Sequence, residues 1–268
     1  MLDIIRARLR QGCRTTRFPR GAPPALPDRF RGLPRLDATL CPEGCRECTA
    51  SCPTGAIASG CAEHGCRAEA GRSAKSGRRL TVDLGRCLFC ADCVESCPRG
   101  AITFTGDYRL SVRAREHMVT SGGLKLADAM ARKLRRLLGR SLRLRQVSAG
   151  GCNACEADSN VLTTVGWDMG RFGIAFVASP RHADGLLVTG PVTRNMRLAL
   201  EKTYEAAPSP KLVIAVGACA ISGGLYADSP QACGGVGGIL PVDLFVPGCP
   251  PHPLTLLDGL LRLLGRLQ

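Results

Sequence analysis

Eight of the cysteines fall in two runs whose spacing suits thiolate ligation. Cys87, Cys90, Cys93 and Cys97, followed by Pro98, read C-x2-C-x2-C-x3-C-P; Cys41, Cys45, Cys48 and Cys52, followed by Pro53, read C-x3-C-x2-C-x3-C-P. Paired zinc sites show two C-x2-C knuckles far apart. Three thiolates on one tight loop, each able to meet one iron corner of a cubane, with a fourth carried away by a proline turn, are the pattern of a double 4Fe-4S site. In that pattern the fourth cysteine of each run serves the other cluster. The expected sets are Cys41, Cys45, Cys48 with Cys97, and Cys87, Cys90, Cys93 with Cys52. The extra residue in the first run departs from the usual spacing.

A second constellation lies in the other half of the chain. Cys152 and Cys155 stand in G-C-N-A-C-E, Cys219 in V-G-A-C-A and Cys249 in V-P-G-C-P-P, each just beyond a short apolar stretch. If those stretches are parallel strands, all four thiols follow carboxyl ends, where ligand sites of open α/β sheets gather. Gly151, Gly217 and Gly248 allow close backbone approach. Alone, each cysteine reads as a buried core residue; together they supply the four thiolates of a third cubane. Glu156 and Asp158 beside them are candidates for a proton relay, or for helix capping or an arginine partner. Arg181 could hydrogen-bond cluster sulfurs or lie on the surface. His182 and His252 read as structural or surface residues, and Cys13 and Cys233 have no assigned role. Cys61, Cys66 and His64 could form a small metal site but have no fourth ligand nearby.

The elements that must position these residues are legible in outline. Residues 1–12 place Leu2, Ile5 and Leu9 at helical spacing among Arg6, Arg8 and Arg10, a basic amphipathic helix that could lie on a membrane or pack on protein. Residues 18–42 are rich in Pro and Arg and read as an extended arm. The segments C-P-T-G-A-I at 52–57 and C-P-R-G-A-I at 97–102 are an internal repeat, split by a Gly, Ser, Arg and Lys rich loop at 58–79. A basic run at 106–141, with Leu126, Met130, Leu134 and Leu137 near one helical face, reads as a connector. Strands are expected at Leu142–Val147, Ile174–Ala178, Gly185–Thr189, Leu212–Val216 and Val242–Val246. Helices are expected near 155–166, 194–206 and 253–266. Their alternation argues for a parallel sheet covered on both faces. The predicted organisation is an arm at 1–40, an α+β double-cluster module at 41–118, a connector at 119–141 and an α/β single-cluster domain at 142–268.

Two resemblances extend this reading. The arm and the cysteine runs, RTTRFPRGAPPALPDRFRGLPRLDATLCPEGC with VDLGRCLFCADCVESCPRGAI, resemble the ferredoxin-like subunit of complex I and of formate hydrogenlyase, which implies a bacterial-type double 4Fe-4S ferredoxin that feeds a neighbouring cluster. Residues 142–268, through ASPRHADGLLVTGPVTRNM, KLVIAVGACAISGG and PVDLFVPGCPP, resemble the 20 kDa small subunit shared by complex I and the group 4 NiFe hydrogenases. That resemblance implies a flavodoxin-like doubly wound fold and a third 4Fe-4S cluster on Cys152, Cys155, Cys219 and Cys249. It also implies partners: a large catalytic subunit holding nickel and iron, membrane-arm subunits, an additional electron-donor subunit, and a peripheral place on the cytoplasmic face of the cell membrane. Complex I has adjacent cysteines at the first position of this set, whereas C-x2-C followed by acids matches the hydrogenase branch. A complex I-like NADH:quinone oxidoreductase without nickel is the alternative. No pair of cysteines remains for a nickel site here, so the implied role is conduction of electrons within an oxidoreductase, with catalysis on a partner.

Composition bounds the rest. The 268 residues carry a net charge of +14, all of it in residues 1–150, where 28 Lys and Arg stand against 13 Asp and Glu; residues 151–268 hold 8 against 9. Thiolate-ligated clusters are net anionic and account for some of this excess. Three Tyr and one Trp leave little for base stacking, so nucleic acid is not expected as a partner. The longest nearly uncharged apolar run, Leu212–Ile221, falls short of the ~20 residues of a membrane-spanning helix. The start, MLDIIRARLR, has charges where a signal peptide needs an apolar run, and sixteen cysteines in a chain of this length suit a reducing compartment better than a disulfide scaffold.

Overall fold

The computed structural model describes residues 2–42, 44–59 and 80–267; Cys61, His64 and Cys66, weighed above as a metal site, lie outside them. Helix α1 (Leu2–Gln11) leads into an arm without regular structure. Prolines 19, 23, 24 and 27 deny that arm the backbone donors a helix or central strand needs. It ends as a strand, β1 (Pro34–Leu36).

The cysteine module then repeats one small unit. Helix α2 (Glu47–Ser51) precedes β2 (Ile57–Ser59); after β3 (Leu80–Asp83), helix α3 (Asp92–Glu95) precedes β4 (Ile102–Phe104). In each copy the C-P-x-G-A-I segment is the turn between helix and strand. Its proline cannot continue the helix, and its glycine, Gly55 (φ 57°) or Gly100 (φ 62°), takes the left-handed conformation that the turn requires. Strand β1 pairs antiparallel with β4, and β3 pairs antiparallel with both β2 and β5 (Val119–Thr120). Ser51 and Ser96, equivalent in the two copies, meet at 2.8 Å.

The connector is partly helical, as expected, but its helix is short and turns a different face inward. Its helix, α4, covers only Arg132–Leu138, and its buried residue is Leu138, while Leu137 is exposed. Ahead of it the backbone is held by other segments: Ala127 N–H donates to Ser111 and Met130 N–H to Leu263. These non-local bonds replace the i to i−4 bonds that would have extended the helix through Leu126 and Met130.

Five parallel strands follow, β6 (Leu142–Ser148), β7 (Ile174–Phe176), β8 (Gly185–Thr189), β9 (Leu212–Val216) and β10 (Leu244–Val246), in the order β10-β9-β8-β6-β7. In chain order this is the flavodoxin-like 2-1-3-4-5 arrangement, with a switch point between β6 and β8. The helices are α5 (Ala154–Val161), α6 (Arg194–Ala206), α7 (Ala218–Ser222) and α8 (Pro253–Leu263). Strand alternation sorts the core. Leu187, Ile214, Val216 and Val246 face α8 through Leu256, Leu257 and Leu260. Leu186, Val188, Val213 and Ala215 face the opposite way, into one cluster with Leu200 of α6 and with Ile57, Leu80, Val82, Leu84 and Ile102 of the cysteine module. The module therefore covers part of one sheet face, and the two halves share a core.

Candidate metal centres

The loops that carry the thiols are bent to aim backbone donors at sulfur. The residue just before the second cysteine of each run lies in the left-handed region, Gly44 at φ 78° and Phe89 at φ 56°. The longer run thus makes the same turn with a glycine. Ala91 (φ 74°) in the same loop as Phe89, and Asn153 (φ 70°) between Cys152 and Cys155, also take that conformation, at a cost of about 1–3 kcal/mol for each non-glycine residue. Backbone amides reach sulfur, among them Ala56 N–H to Cys52 Sγ at 3.2 Å, Ala101 N–H to Cys97 Sγ at 3.2 Å, and Phe89 N–H to Cys87 Sγ at 3.4 Å. The first two are the same bond made once in each repeat.

The thiols gather in three groups. Burial pushes the Cys48 thiol up, and the charges of Cys41, Cys97 and Cys45 push the same way. Burial, then Cys93, Cys52 and Cys90, push Cys87 up to about 12 against the Phe89 amide. Cys52, Cys87, Cys90 and Cys93 also line one cavity, walled by Ile57, Val82, Ile102 and Phe104. Burial pushes Cys155 up to about 12, with Glu156, Cys249, Cys219 and Cys152 adding to it. Each group thus brings four thiols close enough to feel one another's charge, which favours cations among them. The groups also touch one another electrostatically, Cys93 with Cys48 and Cys249 with Cys90.

These surroundings fit an iron-sulfur core better than a single ion. The sulfurs of a tetrahedral zinc, each ~2.3 Å from the metal, lie ~4 Å apart. Among the described residues no three His, Cys, Asp or Glu groups converge to hold one ion. Glycines keep room beside the third group: a Cβ at Gly217 (φ +89°) would lie 2.6 Å from Cys155 Sγ, and one at Gly224 would lie 2.9 Å from Cys219 Sγ. Gly217→Ala is therefore expected to lower the iron held by the third group and the thermal midpoint. Gly234→Ala (φ +70°, with open space around the Cβ) should cost only the ~1–2 kcal/mol of left-handed backbone. Iron analysis and thermal scans of both variants check this.

Residues 152–263 match the model of the NADH ubiquinone oxidoreductase 20 kDa subunit family, and residues 40–102 match that of the 4Fe-4S dicluster domain. A probable membrane-bound hydrogenase subunit of Pyrococcus furiosus is 41% identical over 150 residues, which are 56% of this chain and 90% of that protein. The chain belongs to the 20 kDa subunit family. It joins that domain to a 4Fe-4S ferredoxin domain, so iron-sulfur chemistry is a property of the chain. Formate hydrogenlyase subunit 7 of Escherichia coli is 44% identical over 140 residues, 52% of this chain and 55% of that protein. An NADH-quinone oxidoreductase subunit of Heliobacterium modesticaldum is 42% identical over 121 residues, 45% of this chain and 69% of that protein.

Around the third group, the 20 kDa-family domain places several of the other expected residues. Glu156 is buried inside α5 and accepts a hydrogen bond from Thr189 Oγ1 at 2.6 Å. Burial alone would raise its carboxyl, but bonds from Ser148, Thr189 and its own backbone outweigh that and hold it below the usual range. Asp158 lines a cavity of about 230 Å³ with Cys249, His252, Arg29 and Arg31, and burial pushes its carboxyl up. Glu156 stands in the first turn of α5, where its carboxylate accepts its own backbone N–H, and Asp158 lies further along the helix. Arg181 and His182 are exposed. His252 is structural: its Nδ1 accepts the Leu254 N–H at 3.1 Å and its ring meets Phe30 and Trp167 edge-on. Sequence reasoning missed the contacts that lock the module to the sheet near the thiols. Ser222 Oγ donates to the Gly85 carbonyl at 2.9 Å, and Val112 and Phe245 exchange backbone bonds; Arg31 of the arm likewise donates to the Phe89 carbonyl of the module at 2.9 Å.

Proposed function

We propose that this chain is the electron-transfer subunit of a membrane-associated group 4 NiFe hydrogenase or formate hydrogenlyase-type complex, holding three 4Fe-4S clusters in series. The first is held by Cys41, Cys45, Cys48 and Cys97, the second by Cys87, Cys90, Cys93 and Cys52, and the third by Cys152, Cys155, Cys219 and Cys249. Continuity of the thiols carries the reading: Cys48 neighbours Cys93, and Cys90 neighbours Cys249. Each cluster supplies a one-electron couple whose potential depends on charge, hydrogen bonding and exposure. The chain's own residues do the rest. Ala56, Ala101 and Phe89 amides donate to thiolates, Ile57, Val82, Ile102 and Phe104 keep water from the middle set, and the shared core fixes the spacing.

The double-cluster module occupies 41–118 and the single-cluster domain 142–268. Cys152 and Cys249 are exposed, so the third set faces a large catalytic subunit that covers it; membrane-arm subunits and a donor subunit complete the assembly on the cytoplasmic face. Glu156 and Asp158 are proposed as a proton relay there, a reading supported by Asp158 lining the cavity beside Cys249. The C-x2-C spacing of Cys152 and Cys155 favours the hydrogenase branch. The likeness to the NADH-quinone oxidoreductase protein supports the alternative, the same role in a complex without nickel; nickel analysis of the purified complex separates the two.

Anaerobic reconstitution tests the assignment. About twelve irons and as much labile sulfide per chain are expected for three cubanes, and zinc in their place, or far less iron, overturns it. The crossed pairing has its own readout. Cys97→Ala should remove the cluster of the 41–48 run, and Cys52→Ala that of the 87–93 run, as identified by which remaining cysteines become alkylated.

A further inference from the structure

We propose that an arginine-rich face formed by α1, the arm, the loop before β7, α4 and the C-terminal segment docks this chain on an anionic phospholipid bilayer. Every residue of α1 is exposed, including Leu2 at 70%, Ile4 at 74%, Ile5 at 51% and Leu9 at 77%. Leu2, Ile5 and Leu9 share one side at helical spacing, with Arg6, Arg8 and Arg10 interleaved. A ten-residue helix that buries nothing is marginal in water. Something must cover its apolar side, and the covering surface must also accept cations.

The arm ties α1 to a second cationic feature. Thr15 Oγ1 donates to the Val165 carbonyl and Thr16 N–H to that of Gly166, while Arg171 donates to the carbonyls of Thr16 and Phe18. These bonds hold open a groove of about 530 Å³ in which Arg17, Arg20, Arg171 and Arg266 surround Phe18 and Phe172. All four arginines are exposed, and among the described residues none is paired with a carboxylate. Arg266 donates to the Gly139 carbonyl at the end of α4. That helix adds Arg132, Lys133, Arg135 and Arg136, with Leu137 exposed at 59%. The groove lies at the amino ends of the sheet, where Leu142 N–H, opening β6, bonds to the Gly173 carbonyl just before β7. The thiols of Cys152, Cys219 and Cys249 follow the carboxyl ends of β6, β9 and β10. A bilayer on this face therefore leaves the third thiol set free for another subunit.

Guanidiniums whose charge no carboxylate offsets, on the same face as exposed Leu and Ile side chains, are what the boundary of phosphate headgroups and acyl chains accepts together. A nucleic acid would satisfy the cations and leave the apolar side of α1 in water. This docking does not depend on the electron path: its readout is lipid binding, whereas failure of the electron-transfer reading shows in iron content.

Flotation of the full reconstituted chain with phosphatidylcholine vesicles, with and without phosphatidylglycerol, tests the proposal. At least roughly tenfold stronger partition onto the anionic vesicles is expected, weakening as salt is added. R17Q/R20Q should lower that partition roughly tenfold or more, and L2S/L9S should also lower it. Both pairs are exposed, so iron content and circular dichroism should match the parent. Equal partition onto both lipids, absence of binding, or binding indifferent to both pairs of substitutions overturns the proposal. So does retention by RNA or by an acidic protein that outcompetes the vesicles.

Discussion

Cys90→Ala is expected to abolish electron transfer between the first and third clusters while leaving both in place. Cys90 belongs to the middle thiol set and is also the thiol of that set whose charge is felt at Cys249. Losing it removes one of the four thiols that line the cavity walled by Val82, Ile102 and Phe104. Iron should fall by about four atoms per chain, one cubane's worth. The first set, whose thiols Cys41, Cys45, Cys48 and Cys97 neighbour one another, should keep its cluster, as should the third. Rapid-mixing reduction followed by low-temperature EPR checks this: a donor that reduces the first cluster should no longer reduce the third on the parent timescale. Unchanged reduction of the third cluster in a variant shown to lack the second would remove the series arrangement.

The ferredoxin module and the parallel sheet that carry the thiols were largely legible before any coordinates. The thiol runs are local features, and the turn that separates Cys52 from Cys48, or Cys97 from Cys93, is written in a proline and a glycine at fixed offsets. Short runs such as Leu212–Val216 and Gly185–Thr189 are buried along their whole length, and a strand covered on both faces reads as continuous apolar sequence. Strand limits drifted where tertiary partners decide them. Residues 242 and 243 read as strand, yet β10 begins at Leu244, because the Asp243 carboxylate instead accepts the Val213 N–H at 2.9 Å.

What stayed hidden is the contact between the halves, which depends on pairs far apart in sequence. Nothing local in Gly85 announces that its carbonyl takes a hydrogen bond from Ser222 and that a Cβ there would lie 2.8 Å from Ile221 Cγ2. Nor does Val112 show that it bridges to Phe245. The extent of helix in the connector, expected to be partly helical, stayed hidden for the same reason. Its apolar residues have helical spacing, but Ala127 and Met130 give their amides to Ser111 and Leu263 and leave α4 only seven residues. The fusion consequently holds the thiol sets in register through a shared core, and the linker contributes less than its position in the sequence suggests.

Arg262→Leu is expected to cost about 3–5 kcal/mol, the penalty for leaving a buried charge without its partner. Arg262 and Asp258 form an i,i+4 pair inside α8 at 2.8 Å, with side chains 8% and 2% exposed. Burial pushes the Asp258 carboxyl up, while the hydrogen bond and charge of Arg262, with Arg109 beyond, pull it back. Without Arg262 that carboxyl lies further above its unfolded value of about 3.9. A raised folded value gives stability that is present below the unfolded one and lost as pH rises through the folded one. The variant's deficit should therefore be larger at neutral than at mildly acidic pH. Asp258→Leu/Arg262→Leu together should recover most of the loss, since both desolvated charges are gone. Anaerobic thermal scans of the three proteins at two pH values measure this. Gly259, next to Asp258, packs against Ser111, whose hydroxyl donates to the Thr255 carbonyl. A disturbance of α8 therefore reaches the segment that joins the cysteine module to the sheet. In Arg262→Leu the second and third clusters should lose their fixed separation before the parallel sheet unfolds, seen as loss of their magnetic coupling ahead of the loss of circular dichroism.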